Sequence, residues 1–241
     1  MESTLSLLSQ IGFIVLTIIY FGLLIREFKK GIIVAGWTES QKNKFIKSII
    51  VILVLWSLFV SFWSLSGIMS DFTKFPFNFM PVILIPLVGS LIFVFSKGVG
   101  DILKHIPSEN ILRLQSFRFF VELILWALFV NSLLPIQMTF EGRNFDILAG
   151  ITGPIIGWFA MKGKISKTAV ALWNIACLGL LINIVTIAIL STPTPVRVFM
   201  NEPANTIVAH FPASWLPGFL VPLAYTLHFL SLRQMFLSPR V

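Results

Sequence analysis

The sequence predicts an all-α integral membrane protein folded as a bundle of seven transmembrane helices. Hydrophobic residues make up 56% of the chain and the mean hydropathy is +0.92, which lies outside the range of soluble domains. Apolar runs recur at close to the ~20 residues that a helix needs to cross the hydrocarbon core of a bilayer. Lysines and arginines lie at the ends of these runs. We therefore expect residues 1–241 to form a single transmembrane bundle without a soluble domain.

Seven apolar segments define the predicted helices and their order. They cover residues of about 5–25, 48–69, 79–96, 117–137, 146–162, 168–190 and 213–232. The fifth segment is the shortest and lies at the lower limit of about 17 residues for a spanning helix.

The basic residues predict the orientation of the bundle. Of the 18 lysines and arginines, 15 fall in the first, third and fifth connections and the C-terminal tail. These 15 are Arg26, Lys29, Lys30, Lys42, Lys44, Lys47, Lys97, Lys104, Arg113, Arg118, Lys162, Lys164, Lys167, Arg233 and Arg240. The opposite side receives only Lys74, Arg143 and Arg197. Because cytoplasmic loops retain Lys and Arg, we expect the N-terminus outside and the C-terminus in the cytoplasm of a multi-pass cell-membrane protein.

The same asymmetry explains the formal net charge of +8. A basic protein can bind nucleic acid, but here the charge follows the membrane topology, and we expect no nucleic-acid partner. The expected partner is the lipid bilayer, with a small molecule or an ion as ligand. The sequence does not fix an oligomeric state.

One pair of segments hints at an internal repeat. Residues 81–93 and 217–229 share the pattern P-x4-P-L-x3-L-x-F, each followed four residues later by a basic residue. Both segments are predicted to run from outside to inside, as in transporters built as a 3+1+3 parallel repeat. Chance similarity between apolar segments is the alternative interpretation, and the sequence leaves both open.

Polar residues inside the bilayer cost free energy and therefore indicate candidate sites. An inner layer contains Glu122, Asn174 and His228, each about 6–10 Å from the basic residue that marks the cytoplasmic end of its helix. If their helix faces converge, the three form a proton relay or a polar substrate contact, since histidine titrates near neutrality. The alternative is structural. Glu122 then pairs with Arg118 four residues earlier, and the other two make interhelical hydrogen bonds.

A second candidate site lies on the predicted outer side. It comprises Glu141, Arg143 and Asp146 at the start of the short fifth helix, with Glu202 and His210 in the long last loop. Short or interrupted membrane helices expose termini that bind ions and substrates. Alternatively, Arg143 pairs with Asp146 or Glu141, and the glycines of the fifth helix only allow close packing.

The sequence predicts neither a cofactor nor a metal site. No lysine lies in the interior of a predicted membrane segment, so a retinal Schiff base is not available. The three histidines fall on both sides of the membrane without ligand spacing. The chain also lacks a phosphate-binding loop and a GxSxG nucleophile motif.

Three strings resemble a family of uncharacterised bacterial polytopic membrane proteins. They are Gln115-Ser-Phe-Arg118, Gly142-Arg-Asn-Phe-Asp146 and Trp215-Leu-Pro-x-x-Leu-Val-Pro222. The resemblance covers about the C-terminal half and implies a bacterial cytoplasmic membrane. It carries no known activity, so no functional residue is transferred from it.

Three functional hypotheses follow from these patterns. The first is a small-solute or ion transporter or channel with an outward-facing polar vestibule. The second is an intramembrane enzyme that acts on a lipid or quinone through Glu202, His210 and Asp146. The third is a seven-helix receptor or assembly subunit without catalysis.

Overall fold

The structure is a computed structural model that describes the backbone of residues 4–237 and the side chains of residues 8–237. This part of the chain is helical and contains no β-strand. Its α-helices are α1 (Thr4–Val34), α2 (Glu39–Leu65), α3 (Met80–Phe95), α4 (Lys97–Leu103), α5 (Ser108–Leu114), α6 (Phe117–Val130), α7 (Ile147–Met161), α8 (Lys167–Leu190) and α9 (Val221–Leu237). A π-helical turn, Leu216–Leu220, leads directly into α9. The prediction of an all-α fold is confirmed.

Several helices are long and apolar enough to cross a membrane. Among the described residues these are Leu8–Val34 of α1, all of α2 and all of α8. Helices α3 and α4 meet at an angle of 62° and count as a fourth if the bent pair is one span. Large apolar side chains are exposed along these helices, for example Leu55 and Phe62 of α2 at 61% and 66%. The protein is therefore a membrane protein by length and composition of its helices.

The predicted fourth segment, 117–137, is the one that the structure changes most. Helix α6 begins at Phe117, as predicted, and the short helix α5 precedes it with only a two-residue turn at Gln115 and Ser116. Helix α6 ends earlier than predicted, at Val130, and nearby Ser132 adopts a left-handed φ of 56° where the chain reverses. Residues 131–146 then return along α6 instead of remaining at its end. Arg118 consequently lies inside the bundle and does not belong among the cytoplasmic loop residues.

Helix α9 is the centre of the bundle. Every residue from Pro222 to His228 is buried, and α3, α4, α5 and α8 pack around the helix. Helix α2 lies at the periphery and contacts the chain before α9 through one face. There Trp56 Nε1 donates to the carbonyl oxygen of Gly218, and Ser64 Oγ donates to that of Ala209.

The two similar strings, 81–93 and 217–229, fold differently. The first lies entirely within α3, whereas the second begins in the π-helical turn and continues into α9. The two elements pack against each other. A common origin by duplication stays a prediction.

Helices α5 and α7 approach closely because α7 presents glycines to its neighbour. Gly150 lies against the backbone of Phe119 in α6, and the next two glycines face α5. A Cβ atom on Gly153 would lie 2.9 Å from the carbonyl oxygen of Leu112, and one on Gly157 would lie 3.0 Å from that of Glu109. Since the opposing atoms belong to the backbone, a side chain at these positions requires the helices to separate.

We expect Gly153→Ala to lower the free energy of unfolding in detergent by about 1–3 kcal/mol, the usual cost of overpacking. Gly179→Ala is the matched control, because Gly179 lies within α8 and no atom would lie within 4 Å of its added Cβ. That control should leave stability unchanged or raise it by up to about 1 kcal/mol through helix propensity. Equal thermal stability of the two variants would contradict the close packing of α5 and α7.

Candidate functional site

The centre of the site is an ion pair between Arg118 of α6 and Asp146, which directly precedes α7. Arg118 Nε donates to Asp146 Oδ2 at 2.6 Å, and Nη2 donates to Oδ1. The pair is bidentate, the strongest geometry for a guanidinium and a carboxylate. Only 2% of Arg118 and 6% of Asp146 are exposed, so neither charge is stabilised by bulk water.

The returning segment after α6 places Asp146 beside Arg118. Along its length, Trp126 Nε1 of α6 donates to Glu141 Oε1 at 2.7 Å. Nearer to the pair, the backbone N–H of Asp146 donates to Asn144 Oδ1 at 3.0 Å. This asparagine-centred turn is a common local fold of the residue, and here it aims the Asp146 carboxylate at α6.

Glu122 joins the site through Asn144. The Nδ2 atom of Asn144 lies 2.7 Å from each carboxyl oxygen of Glu122 and donates to them. Both residues are buried, with 1% and 0% exposure. The partner of Glu122 is therefore a neutral amide, and among the described residues at this site the guanidinium of Arg118 is the one cation for two carboxyl groups.

A second branch runs from Arg118 to α8 and α9. Arg118 Nη1 lies 2.8 Å from His228 Nε2, and because a guanidinium has only donors, Nε2 must accept. The proton of the neutral imidazole then sits on Nδ1, which donates to Asn174 Oδ1 at 2.8 Å. Asn174 Nδ2 in turn donates to Ser231 Oγ at 3.0 Å. The side chain of Trp173 packs against the His228 ring, with centroids 5.5 Å apart.

Arg118 also binds the main chain of α8. Its Nη2 also donates to the carbonyl oxygen of Cys177 at 3.2 Å. Among the residues that the structure describes, Asp146, Cys177 and His228 thus accept from four of the five guanidinium N–H groups.

Arg118, Glu122 and Asp146 line a cavity of about 320 Å³. Its remaining lining is almost entirely apolar and comes mainly from α3, α6, α8 and the chain from Leu216 to Tyr225. Along α8 the cavity extends from Leu181 to Ile189, about 12 Å at the helical rise. Arg118 binds one turn before Leu181, so the charged groups lie at that end.

The end of the cavity opposite the charged groups is lined by uncharged polar residues, and one wall is formed by apolar residues of α3. Thr192 and Asn205 line it beyond α8, and Asn205 is fully buried with no hydrogen-bond partner for its Oδ1 among the described residues. Met80 and Leu84 of α3 also line the cavity and are 37% and 46% exposed. The cavity therefore borders the outer apolar surface beside α3. Its volume lies in the range of small-molecule sites.

The three residues of the predicted inner layer are brought together. His228 and Asn174 share a hydrogen bond, and Glu122 connects to them through Asn144, Asp146 and Arg118. The alternative pairing of Glu122 with Arg118 along one helix is not what forms, because Arg118 turns to Asp146. A role in binding or proton transfer stays a prediction.

The five residues of the predicted outer site are not joined by hydrogen bonds or ion pairs. Asp146 belongs to the buried network, which also contains Glu122, Asn174 and His228 of the predicted inner layer. Arg143 lies over the ring of Phe199, 5.1 Å from its centroid, and pairs with neither Asp146 nor Glu141. His210 is exposed. The inward return of residues 131–146 along α6 explains why Asp146 lies in the buried network.

Glu202 has its own local partners at the surface. It accepts from Arg197 Nη2 at 3.0 Å and from the backbone N–H of Ala204 at 2.7 Å. The bond with the Arg197 guanidinium, followed by that with Ala204, lowers the pKa of the Glu202 carboxyl. No contact links Glu202 to Asp146 or His210 among the described residues, and thus the geometry does not assemble the enzyme site that was hypothesised from these three.

Two central residues were missed from the sequence, Arg118 and Asn144. Arg118 resembled a loop residue because it precedes the apolar part of the fourth segment. The sequence did contain one indication. The stretch Ser108–Leu114 can form a helix before Arg118, which places Arg118 two turns or more from the start of the helical region. Within the described residues, no three His, Cys, Asp or Glu side chains form a group that could hold a metal ion.

We expect Asp146→Asn to destabilise the protein strongly, because it leaves the Arg118 charge buried without its counter-charge. The free energy of unfolding in detergent should fall by about 3–5 kcal/mol. Asp101→Asn is the control: Asp101 forms an exposed pair with Lys104 at 3.4 Å, worth less than about 1 kcal/mol.

The double variant Arg118→Met/Asp146→Leu tests whether the loss of stability comes from an unpaired buried charge or from altered side-chain packing. Replacing both members of a buried pair by apolar groups is often neutral or stabilising, so it should be more stable than Asp146→Asn in the same thermal unfolding assay. A double variant as unstable as the single one would show that the pair does not act through its charges.

Comparison with known proteins assigns the chain to a family but indicates no activity. No curated protein and no solved structure matches the chain. A family model described as a domain of unknown function, DUF8737, matches residues 102–236. This range is more than half of the chain and includes every residue of the buried network, and it confirms the expected resemblance to an uncharacterised family over the C-terminal half. The chain belongs to the DUF8737 family.

Proposed function

We propose that the protein is a membrane transporter for small amphipathic organic cations, with Glu122 as the group that binds either the cation or a proton. One observation carries the proposal: an apolar cavity is lined by the buried carboxyl group of Glu122, whose own partner is a neutral amide. A buried carboxylate without a cation is costly. It is relieved by protonation or by a positively charged ligand, and these two exclude each other.

The surroundings of Glu122 support this choice of ligand. Arg118 and Asp146 offset each other's charge, and His228 is neutral in its bonded form, so the site has one acid in excess. The apolar part of a ligand has about 12 Å of cavity beyond this point, along α8. A polar solute or a hydrated ion would find few partners there. The border between the cavity and the apolar surface at α3 supports entry from the bilayer.

The proposed setting is a bacterial cell membrane, crossed seven times. The spans would be α1, α2, α3, the pair α5–α6, α7, α8 and the continuous helix from Leu216 to Leu237, with the N-terminus outside. The excess of basic residues in the odd-numbered connections supports this orientation. It holds without Arg118, which no longer counts as a loop residue.

Cysteine labelling tests the orientation. The single native cysteine, Cys177, is 4% exposed, so single-cysteine variants have a low background. An impermeant maleimide should label Thr73→Cys in intact cells and Ser40→Cys only after lysis. The reverse order would invert the topology, and labelling of both in intact cells would exclude α2 as a span.

Equilibrium binding in nanodiscs tests the ligand class. The probes are decyltrimethylammonium, decanol and decanoate, which share a chain length and differ in charge. We expect the cation to bind best, and its affinity to fall as the pH is lowered, because protons compete for Glu122. Glu122→Gln should weaken cation binding about tenfold or more and remove the pH dependence. Glu141→Gln, an exposed acid outside the cavity, is the control.

A steric pair of variants tests the location. Val185 lines the cavity, whereas Ile182 lies one turn earlier on α8, is 67% exposed and does not line it. Val185→Trp should abolish binding of decyltrimethylammonium and its uptake into proteoliposomes driven by a pH gradient, and Ile182→Trp should retain both. Equal behaviour of the two variants, or uptake equal to that of empty liposomes, would refute the proposal.

A further inference from the structure

A second cavity, of about 300 Å³, lies where the α4–α5 connection, the end of α7, the start of α8 and α9 meet. Its polar lining comprises Lys104, Ser108, Glu109, Lys167, Ser231 and Gln234. Its apolar lining includes Ile165, Val170 and Met235. The mixture differs from the first cavity, in which charged groups occupy only one end.

One buried group in this lining requires a hydrogen-bond donor. Gln234 is 6% exposed, and its Nε2 donates to the carbonyl oxygens of Leu103 (2.8 Å) and Ile106. These two bonds fix which end of the amide carries the nitrogen. The Oε1 atom is left buried, with no partner among the described residues. A ligand that supplies an N–H or O–H would complete the amide.

The charges around Gln234 indicate a ligand with both a negative and a donor group. The ammonium groups of Lys167 and of Lys104, which also pairs with Asp101 at 3.4 Å, suit a phosphate, to which lysine binds as a point charge. The Glu109 carboxylate suits an ammonium group, as does Gln234 Oε1. Ser108 contributes a hydroxyl that can donate or accept.

We propose that this cavity binds the headgroup of a phospholipid with a primary ammonium group, of the phosphoethanolamine class. The two lysines contact the phosphate, and Glu109 and Gln234 accept from the ammonium group. The apolar residues beside them accommodate the start of the acyl chains, which favours a lipid over a soluble phosphate ester. The site depends on the membrane location of the protein and not on its transport activity.

Native mass spectrometry of the full chain with matched lipids tests this assignment. Phosphatidylethanolamine and phosphatidylcholine with the same acyl chains share the phosphate, but the choline headgroup has no N–H donor. We expect the wild-type protein to retain phosphatidylethanolamine about tenfold better, the value of one or two charge-assisted hydrogen bonds. Glu109→Gln should reduce this preference while leaving the binding of phosphatidylcholine unchanged.

Lysine variants, measured by the same native mass spectrometry, test the phosphate contacts. Lys104→Ala/Lys167→Ala should lower retention of both lipids, whereas Lys162→Ala/Lys164→Ala, which removes two exposed lysines that do not line the cavity, should not. Equal retention of the two lipids by the wild type, or equal effects of the two lysine pairs, would overturn the proposal. Displacement of bound lipid by soluble glycerophosphoethanolamine at the same concentration would overturn the assignment to a lipid. Loss of cation transport without loss of this lipid preference would bear only on the proposed function.

Discussion

A guanidinium group that is almost completely removed from water constrains most of this structure. Arg118 has donors directed to three elements, and each donor needs an acceptor because a buried charge without partners is prohibitively costly. The return of the chain after α6 supplies Asp146, α8 supplies the Cys177 carbonyl, and α9 supplies His228. The relative positions of α6, α7, α8 and α9 are therefore linked through one side chain. A shift of any of these helices would break a charge-assisted hydrogen bond rather than a few apolar contacts.

The acids around Arg118 differ in what they can do. Asp146 faces the guanidinium in a bidentate pair and is committed to it. Glu122 faces Asn144. The amide of Asn144 also donates to the carbonyl oxygen of Met138 and accepts from the backbone N–H of Asp146. The Glu122 carboxyl group thus lies next to a neutral partner and an apolar cavity, whereas the Asp146 carboxylate lies next to a cation.

The sequence predicted the helical class, the approximate segment order and the shared depth of Glu122, Asn174 and His228. These follow from local quantities, namely apolar length, flanking charge and rise per residue. The sequence did not predict the buried position of Arg118, because the rule that places basic residues at helix ends does not consider a carboxylate partner inside the bundle. The ion pair of Asp146 with Arg118 was not predicted either, since the two residues are distant in the chain. Whether residues 131–146 stay at the surface or return along α6 is decided by a partner 28 positions away in the chain, which no local pattern contains.

One series of hydrogen bonds connects the two cavities. Arg118 lines the first cavity and Ser231 lines the second, and His228 and Asn174 connect them with bonds of 2.8–3.0 Å. Because Arg118 can only donate, every bond in the series has a fixed direction, from the guanidinium toward Ser231. Reversing one bond would require His228 to lose its acceptor role and Arg118 to find another acceptor. The series therefore holds the guanidinium in place, and its position in the first cavity depends on Ser231, which borders the second.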